Sequence, residues 1–198
     1  TAGGAPDAGP ARRIAGSGTM NVRVFIPGDA AAIAVGADAV AQALQVEAQR
    51  RGMACTVVRT GSRGMFWLEP LIEVATPTGR VGYGPVAPED VRGLFDAGLL
   101  QGGAHALRIG VPEEVAFLKR QTRLTFARCG IVDPRSVEDY ATHGGWRGLA
   151  RAISLGPAAT IEEVVQSGLR GRGGAGFPTG IKWRTAAEAA GAQTYIVC

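Results

Sequence analysis

The stretch Val22–Pro27 (Val-Arg-Val-Phe-Ile-Pro) decides the fold that the sequence predicts for the first half of the chain. Its β-branched residues favour a short strand. After a loop of small residues, apolar side chains recur at helical spacing through Ala37–Ala48, and Gly52 ends this helix as glycine commonly does. Cys55–Thr60 is a second candidate strand. The segment after Met20 therefore predicts a β-α-β unit.

Two more strands, Pro70–Ala75 and Arg80–Tyr83, are separated by a tight Thr-Pro-Thr-Gly turn and predict a hairpin. Pro88 then begins a helix that we expect to run to about Leu100. The resulting order of elements, β-α-β-β-β-α, resembles that of a thioredoxin-like domain. We predict an α/β (α+β) protein in which this domain occupies residues 20–103, with a hinge at Gln101–Gly103.

Beyond the predicted hinge, in residues 104–198, the pattern becomes mostly helical. Asp133 followed by Pro134 is typical of a helix start. Thr160–Glu163 has the spelling of a capping box, and we expect its helix to end at Gly168.

The end of the sequence predicts a short helix, Thr185–Ala190, and then a strand, Gln193–Val197. This strand runs directly into Cys198, and a globular domain rarely stops on a buried strand. We therefore expect the chain to be a truncation of a longer one.

Composition narrows the classes of partner. The 198 residues carry a net charge of +4 without a run of lysine or arginine, which disfavours nucleic acid and favours small anionic ligands. No apolar run approaches the length of a membrane span. Residues 1–19 lack the apolar core of a signal peptide, and we interpret them as a disordered tail or a remnant of cloning before Met20.

The cysteine and histidine usage predicts neither a disulfide framework nor a metal site. The three cysteines, Cys55, Cys129 and Cys198, are widely separated and odd in number, which fits a reducing cytoplasm. His105 and His143 have no cysteine or carboxylate at the spacing of a metal ligand.

Gly168–Trp183 combines six glycines with two arginines, one lysine and two aromatic residues. Glycine allows backbone N–H groups to approach a ligand closely, and such groups form concave sites for anions. Arginine and lysine add positive charge for phosphate oxygens. This segment therefore predicts a cradle for the phosphate of a nucleotide.

Two other interpretations of this segment are weaker. Residues 171–176 match G-x-G-x-x-G, but a Rossmann site needs a strand before the glycines and a helix directly after them. Here a helix precedes them, and Pro178 interrupts the element after them. A merely solvated glycine loop would explain the glycines but not the cations clustered with Phe177 and Trp183.

The run Ser167–Trp183 (Ser-Gly-Leu-Arg-Gly-Arg-Gly-Gly-Ala-Gly-Phe-Pro-Thr-Gly-Ile-Lys-Trp) resembles the FMN- and NADH-binding loop of the flavoprotein subunit of respiratory complex I and its diaphorase relatives. The resemblance extends over roughly residues 120–198, through Arg128–Pro134, Gly144–Trp146 and Tyr195–Cys198. It implies that residues 104–198 are a helical lead-in and the first part of an FMN-binding domain.

The resemblance also implies roles within the loop. Lys182 would lie near the phosphate end of FMN, Phe177 would face the nicotinamide nucleotide, and Arg172 would contact phosphate or order the loop. Hydride transfer would be performed by FMN, with no catalytic side chain. The implied cofactor-binding residues are Gly171, Arg172, Gly173, Gly174, Ala175, Gly176, Phe177, Pro178, Thr179, Gly180 and Lys182.

Thr60–Val74 resembles the second cysteine-pair segment of thioredoxin-like [2Fe–2S] ferredoxins. Ser62 and Phe66 stand where that pattern has cysteines, and the loop after the first strand has none. Iron–sulfur clusters normally need four thiolates, so Cys55 alone cannot hold one. We expect a domain without a cluster that serves for docking, and no iron in it.

The order of a thioredoxin-like domain followed by an FMN-binding domain on one chain is most similar to that of the β (diaphorase) subunit of cytosolic, molybdenum-containing NAD-dependent formate dehydrogenases. The implied partners are a molybdenum-containing catalytic subunit and a small [2Fe–2S] thioredoxin-like subunit. A [4Fe–4S] cluster and the acidic half of the FMN site would follow Cys198. NAD-reducing hydrogenase and the NADH-oxidising module of complex I are the alternatives, and a non-catalytic nucleotide-binding module is the alternative of another class.

Overall fold

The computed structural model describes residues 21–189 together with residues 191, 193, 195 and 197. The chain divides into two compact units, one ending at Ser136 and the other beginning at Val137. The sequence pattern predicts an earlier end for the first domain, at residue 103. Residues 1–19, which the sequence predicts to be a disordered tail or a remnant of cloning, lie outside the described residues. So do Cys198 and part of the predicted strand Gln193–Val197.

A five-stranded mixed sheet is the framework of the first unit. In chain order its strands are β1 (Val22–Pro27), β2 (Cys55–Thr60), β3 (Ile72–Thr76), β4 (Gly79–Tyr83) and β5 (Arg108–Gly110). Their spatial order is β2-β1-β3-β4-β5. β1 and β2 are parallel, whereas β3 is antiparallel to both β1 and β4. The predicted mixed α/β class and the thioredoxin-like order of its elements are confirmed.

Residues 21–136 of this unit form four α-helices: α1 (Ala30–Ala34), α2 (Ala37–Arg50), α3 (Asp90–Asp96) and α4 (Ala116–Lys119). Short 3-10 turns lie at Phe66–Leu68, Leu99–Gln101 and Pro112–Glu114. The apolar face predicted for α2 is buried against the sheet, because its spacing brings one side of the helix to β1 and β2. The buried residues of that face are Ala37, Val40, Ala41, Leu44 and Ala48.

The predicted hairpin is confirmed in β3 and β4. Thr76 pairs with Gly79 at the turn, and the Thr76 hydroxyl donates to the Gly79 carbonyl at 2.7 Å. Gly79 has φ of 123°, a value that side chains rarely allow. The turn therefore needs the glycine that the sequence supplies there.

The helix predicted from Pro88 to about Leu100 is shorter in the structure. α3 ends at Asp96, because Gly98 takes a left-handed conformation with φ of 78° and breaks the helical path. Leu99 and Leu100 then lie buried in a separate 3-10 turn. The strand β5 was not predicted, and it extends the sheet beyond the expected hinge at Gln101–Gly103.

A buried ion-pair network ties the end of this unit to the sheet. Arg63 contacts Glu73 through Nε and NH2 at 2.6 and 2.7 Å, and each residue is 3% exposed. Arg80 lies over the ring of Phe25 and donates to the carbonyls of Gly130 and Ile131. The segment after β5 is thus fixed to the same unit as the sheet.

The second unit contains α5 (Val137–Thr142), α6 (Arg147–Leu155), α7 (Pro157–Gln166) and α8 (Thr179–Glu188). Gly180 is the one buried residue among the described residues of this unit. Apolar residues of its helices, such as Ile153 and Trp183, are consequently exposed.

Two predicted helix starts in this part of the chain are wrong. Asp133 forms a turn instead, in which its side chain accepts from the Arg135 amide at 2.9 Å, and α5 begins only at Val137. Thr160 lies inside α7, where its hydroxyl donates to the Gly156 carbonyl at 2.7 Å. The helix begins earlier because Pro157 occupies its first turn.

No helix within residues 21–189 is both long enough and apolar enough to cross a membrane.

Candidate functional site

The glycine-rich segment begins where α7 ends. The hydroxyl of Ser167 donates to the Val164 carbonyl at 2.7 Å and accepts from the Leu169 amide at 3.2 Å. Gly168 between them has φ of 65°, so the chain leaves the helix through a left-handed residue. These bonds fix the direction in which the loop starts.

Backbone pairing closes the two ends of the loop against each other. Arg170 and Pro178 form an antiparallel bridge. The Gly171 amide donates to the Phe177 carbonyl at 2.8 Å, and the Thr179 amide donates to the Leu169 carbonyl at 2.9 Å. The residues from 171 to 177 are therefore held as one loop with a fixed base.

The tip of this loop presents backbone donors to solvent. The amides of Arg172–Ala175 make no hydrogen bond to any of the described residues, and all four residues are exposed. A β-carbon on Gly173 or Gly174 would meet nothing within 4 Å, whereas Gly176 has φ of 51° and turns the chain back. Consecutive free N–H groups in a turn are the basis of anion-binding concavities.

Positive side chains lie in the loop and on both sides of it along the chain. Arg170, Arg172 and Lys182 form no ion pair in the part of the chain that the structure describes. The Lys182 ammonium lies 5.8 Å from the centroid of the Phe177 ring, and Phe177 is 48% exposed. Arg184 differs from these cations because its guanidinium contacts Glu162 of α7 at 2.8 Å. Three cations that form no ion pair with a described residue thus lie within the loop or close to it in sequence.

Close packing between α7 and α8 positions Lys182. Gly180 is buried, and a β-carbon there would lie 2.6 Å from the Cα of Val165. Such an approach is possible only for glycine. Lys182 lies two residues further along α8, so the contact of Gly180 with α7 sets the place from which the lysine extends.

The structure keeps all eleven predicted cofactor-binding residues in one continuous segment, the loop and the first turn of α8. Residues 171–175, Phe177 and Lys182 are exposed, while Gly176, Pro178 and Thr179 are half-buried. Gly180 packs against α7 instead of facing solvent. Its role is therefore to position the segment. Val165, its partner, was missed because no pattern in the sequence pairs it with a glycine fifteen residues later.

The element before the glycines is the helix α7, which supports the exclusion of a Rossmann geometry. The interruption expected at Pro178 is wrong, however. Pro178 stands directly before α8 with φ of −60°, and the helix begins at Thr179. Proline is tolerated there because helix starts leave N–H groups unpaired.

In the first unit, the positions that resemble a ferredoxin cysteine pair serve other purposes. The Ser62 hydroxyl donates to the Glu69 carboxylate at 2.8 Å and accepts from the Gly64 amide at 3.0 Å. Phe66 is 61% exposed. Burial raises the pKa of the Cys55 thiol, which disfavours the thiolate that metals bind. Across the described residues, no group of three or more histidine, cysteine or acidic side chains could hold a metal ion.

Comparisons with known proteins connect the chain to redox subunits. No family model matches it. It is 49% identical over 80 residues to the NADP-reducing hydrogenase subunit HndC of Solidesulfovibrio fructosivorans, covering 40% of this chain and 16% of that subunit. It is 45% identical over 62 residues to a subunit of the NADH-quinone oxidoreductase of Streptomyces coelicolor, covering 31% of this chain and 14% of that subunit.

Among solved structures, the chain is similar to the thioredoxin-like [2Fe–2S] ferredoxin of Aquifex aeolicus, with 26% identity, a TM-score of 0.38, and coverage of 46% of this chain and 97% of the ferredoxin. The chain spans less than a fifth of the length of either curated relative. Its relatives by sequence are thus subunits of NADH-quinone oxidoreductases and of nicotinamide-nucleotide-reducing hydrogenases.

Proposed function

We propose that this chain carries the first part of the FMN- and NADH-binding site of a diaphorase subunit, an NADH:acceptor oxidoreductase. The observation that carries the proposal is the run of backbone amides at Arg172–Ala175, which donate to no described residue, together with the cations Arg170, Arg172 and Lys182, which form no ion pair with any described residue. The names of the relatives, an NADH-quinone oxidoreductase subunit and an NADP-reducing hydrogenase subunit, support a nicotinamide nucleotide as the electron carrier.

The residues of the loop fit a phosphorylated flavin. Free amides and fixed cations are what a phosphate monoester requires, because each N–H or ammonium group can donate to an anionic oxygen. The absence of a β-carbon at Gly173 and Gly174 lets a ligand approach the backbone directly. When bound, FMN supplies the chemistry by accepting a hydride from NADH and passing electrons on singly.

The side chains of the chain bind and orient in this proposal. Lys182 holds the phosphate end of the flavin, while Arg172 neutralises phosphate or orders the loop. Phe177, which is 48% exposed, offers a flat apolar ring on which the base of NADH can stack. Gly180 maintains the position of Lys182 through its contact with α7. The remaining residues from 171 to 179 form the backbone of the cradle, and none acts as an acid, a base or a nucleophile.

We further propose the setting of a cytoplasmic, molybdenum-containing NAD-dependent formate dehydrogenase. There the diaphorase subunit would associate with a molybdenum-containing catalytic subunit and a small [2Fe–2S] thioredoxin-like subunit. Electrons would travel through iron–sulfur clusters, including a [4Fe–4S] cluster held by residues outside this sequence. The first unit would dock a partner without a cluster of its own, since Ser62 and Phe66 provide no thiolate.

A second candidate within this class is the diaphorase subunit of a hydrogenase or of a complex I module, and the names of the relatives favour it directly. The contrasting class is a non-catalytic module that binds a nucleotide only for structure. The formate dehydrogenase and the hydrogenase or complex I settings differ in the electron donor of the complex. The non-catalytic module differs from both because it has no redox activity.

A visible spectrum of the full-length protein tests the proposal. We expect a flavin spectrum that bleaches when NADH is added anaerobically, because reduction removes the oxidised flavin absorption. A colourless full-length protein that leaves NADH unoxidised would contradict the enzyme proposal and favour the non-catalytic module. Formate and hydrogen as alternative reductants of the purified complex would then separate the two redox settings.

A further inference from the structure

Three aromatic side chains of the first unit, Phe66, Trp67 and Phe117, form an exposed group that we call the aromatic face. Their exposed fractions are 61%, 57% and 42%. Phe66 and Trp67 are neighbours in one 3-10 turn, and the rings of Trp67 and Phe117 meet edge to face with centroids 5.0 Å apart. Single exposed apolar side chains are ordinary, whereas adjoining ones mark interaction surfaces. The aromatic face is therefore a candidate surface for contact with another molecule.

A small apolar cluster holds the two segments of the aromatic face together. Met65 precedes Phe66 and Leu118 follows Phe117, and both belong to one buried cluster. A β-carbon on Gly64 would lie 3.9 Å from the Cε1 atom of Phe117, so the two segments also meet at the surface. Because the fold already fixes these positions, less conformational entropy is lost when a partner binds.

The acidic side chains next to the aromatic face are already paired. Residues 111–127 contain two of them, both glutamates. Glu113 contacts Arg63 at 2.7 Å. Glu114 contacts Lys119 at 2.5 Å. These ion pairs occupy the carboxylates and the single lysine of the region, so neither sign of charge remains free in them.

Two arginines near the aromatic face, Arg120 and Arg123, form no ion pair with a described residue. The Arg120 amide donates to the Ala116 carbonyl at 3.3 Å, so the chain is still helical there. Residues three apart on a helix are neighbours, which places Arg120 beside Phe117. Arg123 lines a cavity of about 290 Å³ together with Leu118. The charge available to a partner at this face is therefore positive.

From these observations we infer that the aromatic face docks an acidic segment of a partner protein, in which an apolar side chain is flanked by aspartate or glutamate. The two arginines and the indole N–H of Trp67, which donates to no described residue, are donors that complement carboxylates. Tryptophan, phenylalanine and arginine are also the residue types enriched in protein interfaces. The inference rests on the docking role proposed for the first unit, but not on flavin binding by the second.

An anionic membrane is a less suitable partner for this face. Electrostatic attachment to lipid headgroups commonly uses about four to eight lysines or arginines, whereas two arginines are free here. α4 has four residues, too few for an amphipathic helix that lies among headgroups. The balance of two cations with three aromatic rings therefore favours a protein segment.

Photo-cross-linking in the purified full-length complex tests this inference, with p-benzoylphenylalanine in place of Phe66. We expect a link to a partner segment in which aspartate and glutamate outnumber lysine and arginine. The same replacement of Val46, which is exposed on α2, is the matched control and should give no link to that segment. A link to a lipid, a link to a basic segment, or no link at all would overturn the inference.

The flavin content of the same preparation separates this inference from the proposed function. A complex that retains flavin and yields no acidic cross-link contradicts the docking inference alone. A complex that yields the acidic cross-link and holds no flavin supports the docking inference and contradicts the flavin site.

Titration of subunit variants with the cross-linked partner measures the contribution of single residues. Trp67→Ala is expected to weaken binding about thirtyfold, as loss of an aromatic anchor does. Arg120→Glu should weaken it about tenfold, because the new carboxylate repels the acidic segment. Arg92→Glu makes the same charge change on α3, whose buried residues belong to the other apolar cluster, and should bind like the wild type. Equal effects of the two arginine variants would overturn the inference, and this comparison decides alone if Trp67→Ala does not fold.

Discussion

The Cα atom of Val165 lies 2.6 Å from the position that a β-carbon on Gly180 would occupy. The helices α7 and α8 therefore meet at backbone distance, and they do so within one turn of the loop that carries the candidate site. Because α8 bears Lys182, a change at this contact would alter both the stability of the second unit and the position of Lys182 in the site.

Gly180→Ala is expected to destabilise the second unit by about 1–3 kcal/mol, the usual cost of overpacking a close contact. The added methyl group would force α8 away from Val165, since two of the three atoms that it meets, the Cα and N of Val165, belong to the backbone and cannot rotate aside. Urea unfolding followed by the fluorescence of Trp146 and Trp183 measures the change.

Gly148→Ala in α6 is the matched control, because a β-carbon there would meet nothing within 4 Å. This variant is expected to gain about 0.5–1 kcal/mol from the higher helix propensity of alanine. If both variants shift the unfolding midpoint in the same direction, the packing of Gly180 against Val165 does not have the role assigned to it.

Lys182→Ala is expected to weaken the retention of FMN by about tenfold or more, because a charge-assisted hydrogen bond to phosphate contributes about 1.5–3 kcal/mol. Folding should be almost unaffected, since Lys182 is exposed and contacts only the Phe177 ring among the described residues. Flavin fluorescence after gel filtration of the full-length protein measures retention.

Lys119→Ala removes the other lysine of the chain and is the control for total charge. Lys119 pairs with Glu114 at the surface of the first unit. Retention of FMN by Lys182→Ala at the level of Lys119→Ala would remove Lys182 from the site.

Glu73→Gln is expected to destabilise the first unit by about 3–5 kcal/mol, because it leaves the buried guanidinium of Arg63 without its bidentate partner. Arg80 would lose an ion pair at the same time. Chemical unfolding of the variant and the wild type under identical conditions gives the difference. Glu114→Gln, which breaks an exposed pair, is the control and should have a much smaller effect. Similar effects of both substitutions would contradict the structural importance of the network.

Glu69 predicts a specific dependence of stability on pH. Burial raises the pKa of its carboxyl above the ordinary value of 4.5, although the Ser62 hydroxyl and the Leu71 amide both donate to the carboxylate. The folded state therefore holds this proton more tightly than the unfolded state, so the carboxyl contributes stability at low pH. That contribution is lost as the pH rises from 4.5 through the raised pKa of the folded state.

The variant Glu69→Gln lacks this proton and is expected not to share that loss. Between about pH 4 and pH 8, the unfolding free energy of the wild type should fall relative to that of the variant. Urea unfolding at a series of pH values measures the difference. A difference that stays constant, or that grows in favour of the wild type as the pH rises, would refute the assignment.

The elements that the sequence predicts correctly are those with strong local patterns. α2 repeats its apolar residues over several turns, and the β3–β4 hairpin has a turn that requires Gly79. β1 and β2 also have the predicted bounds. β5 was beyond prediction because three residues carry no period, and its position depends on pairing with β4.

The helix starts failed for a different physical reason. Asp133 and Thr160 have side chains that cap helices, but the same side chains also form turns and bond to carbonyls within a helix. Which of these occurs depends on neighbours such as Pro157. In the candidate site, composition predicted the free amides and cations, whereas the contact between Gly180 and Val165 depends on how two helices cross.

The strand order has a consequence for how this chain meets other chains. β5 ends one side of the sheet with only three residues, while β2 ends the other side with six. Outward-facing backbone groups of an edge strand can pair with a strand of another molecule, and short edges resist this. Strand addition, whether in assembly or in aggregation, is therefore directed to β2. Arg59 places a charged side chain on this edge strand, and such a charge opposes pairing with a strand of another molecule. Its ion pair with Asp38 holds the guanidinium in place.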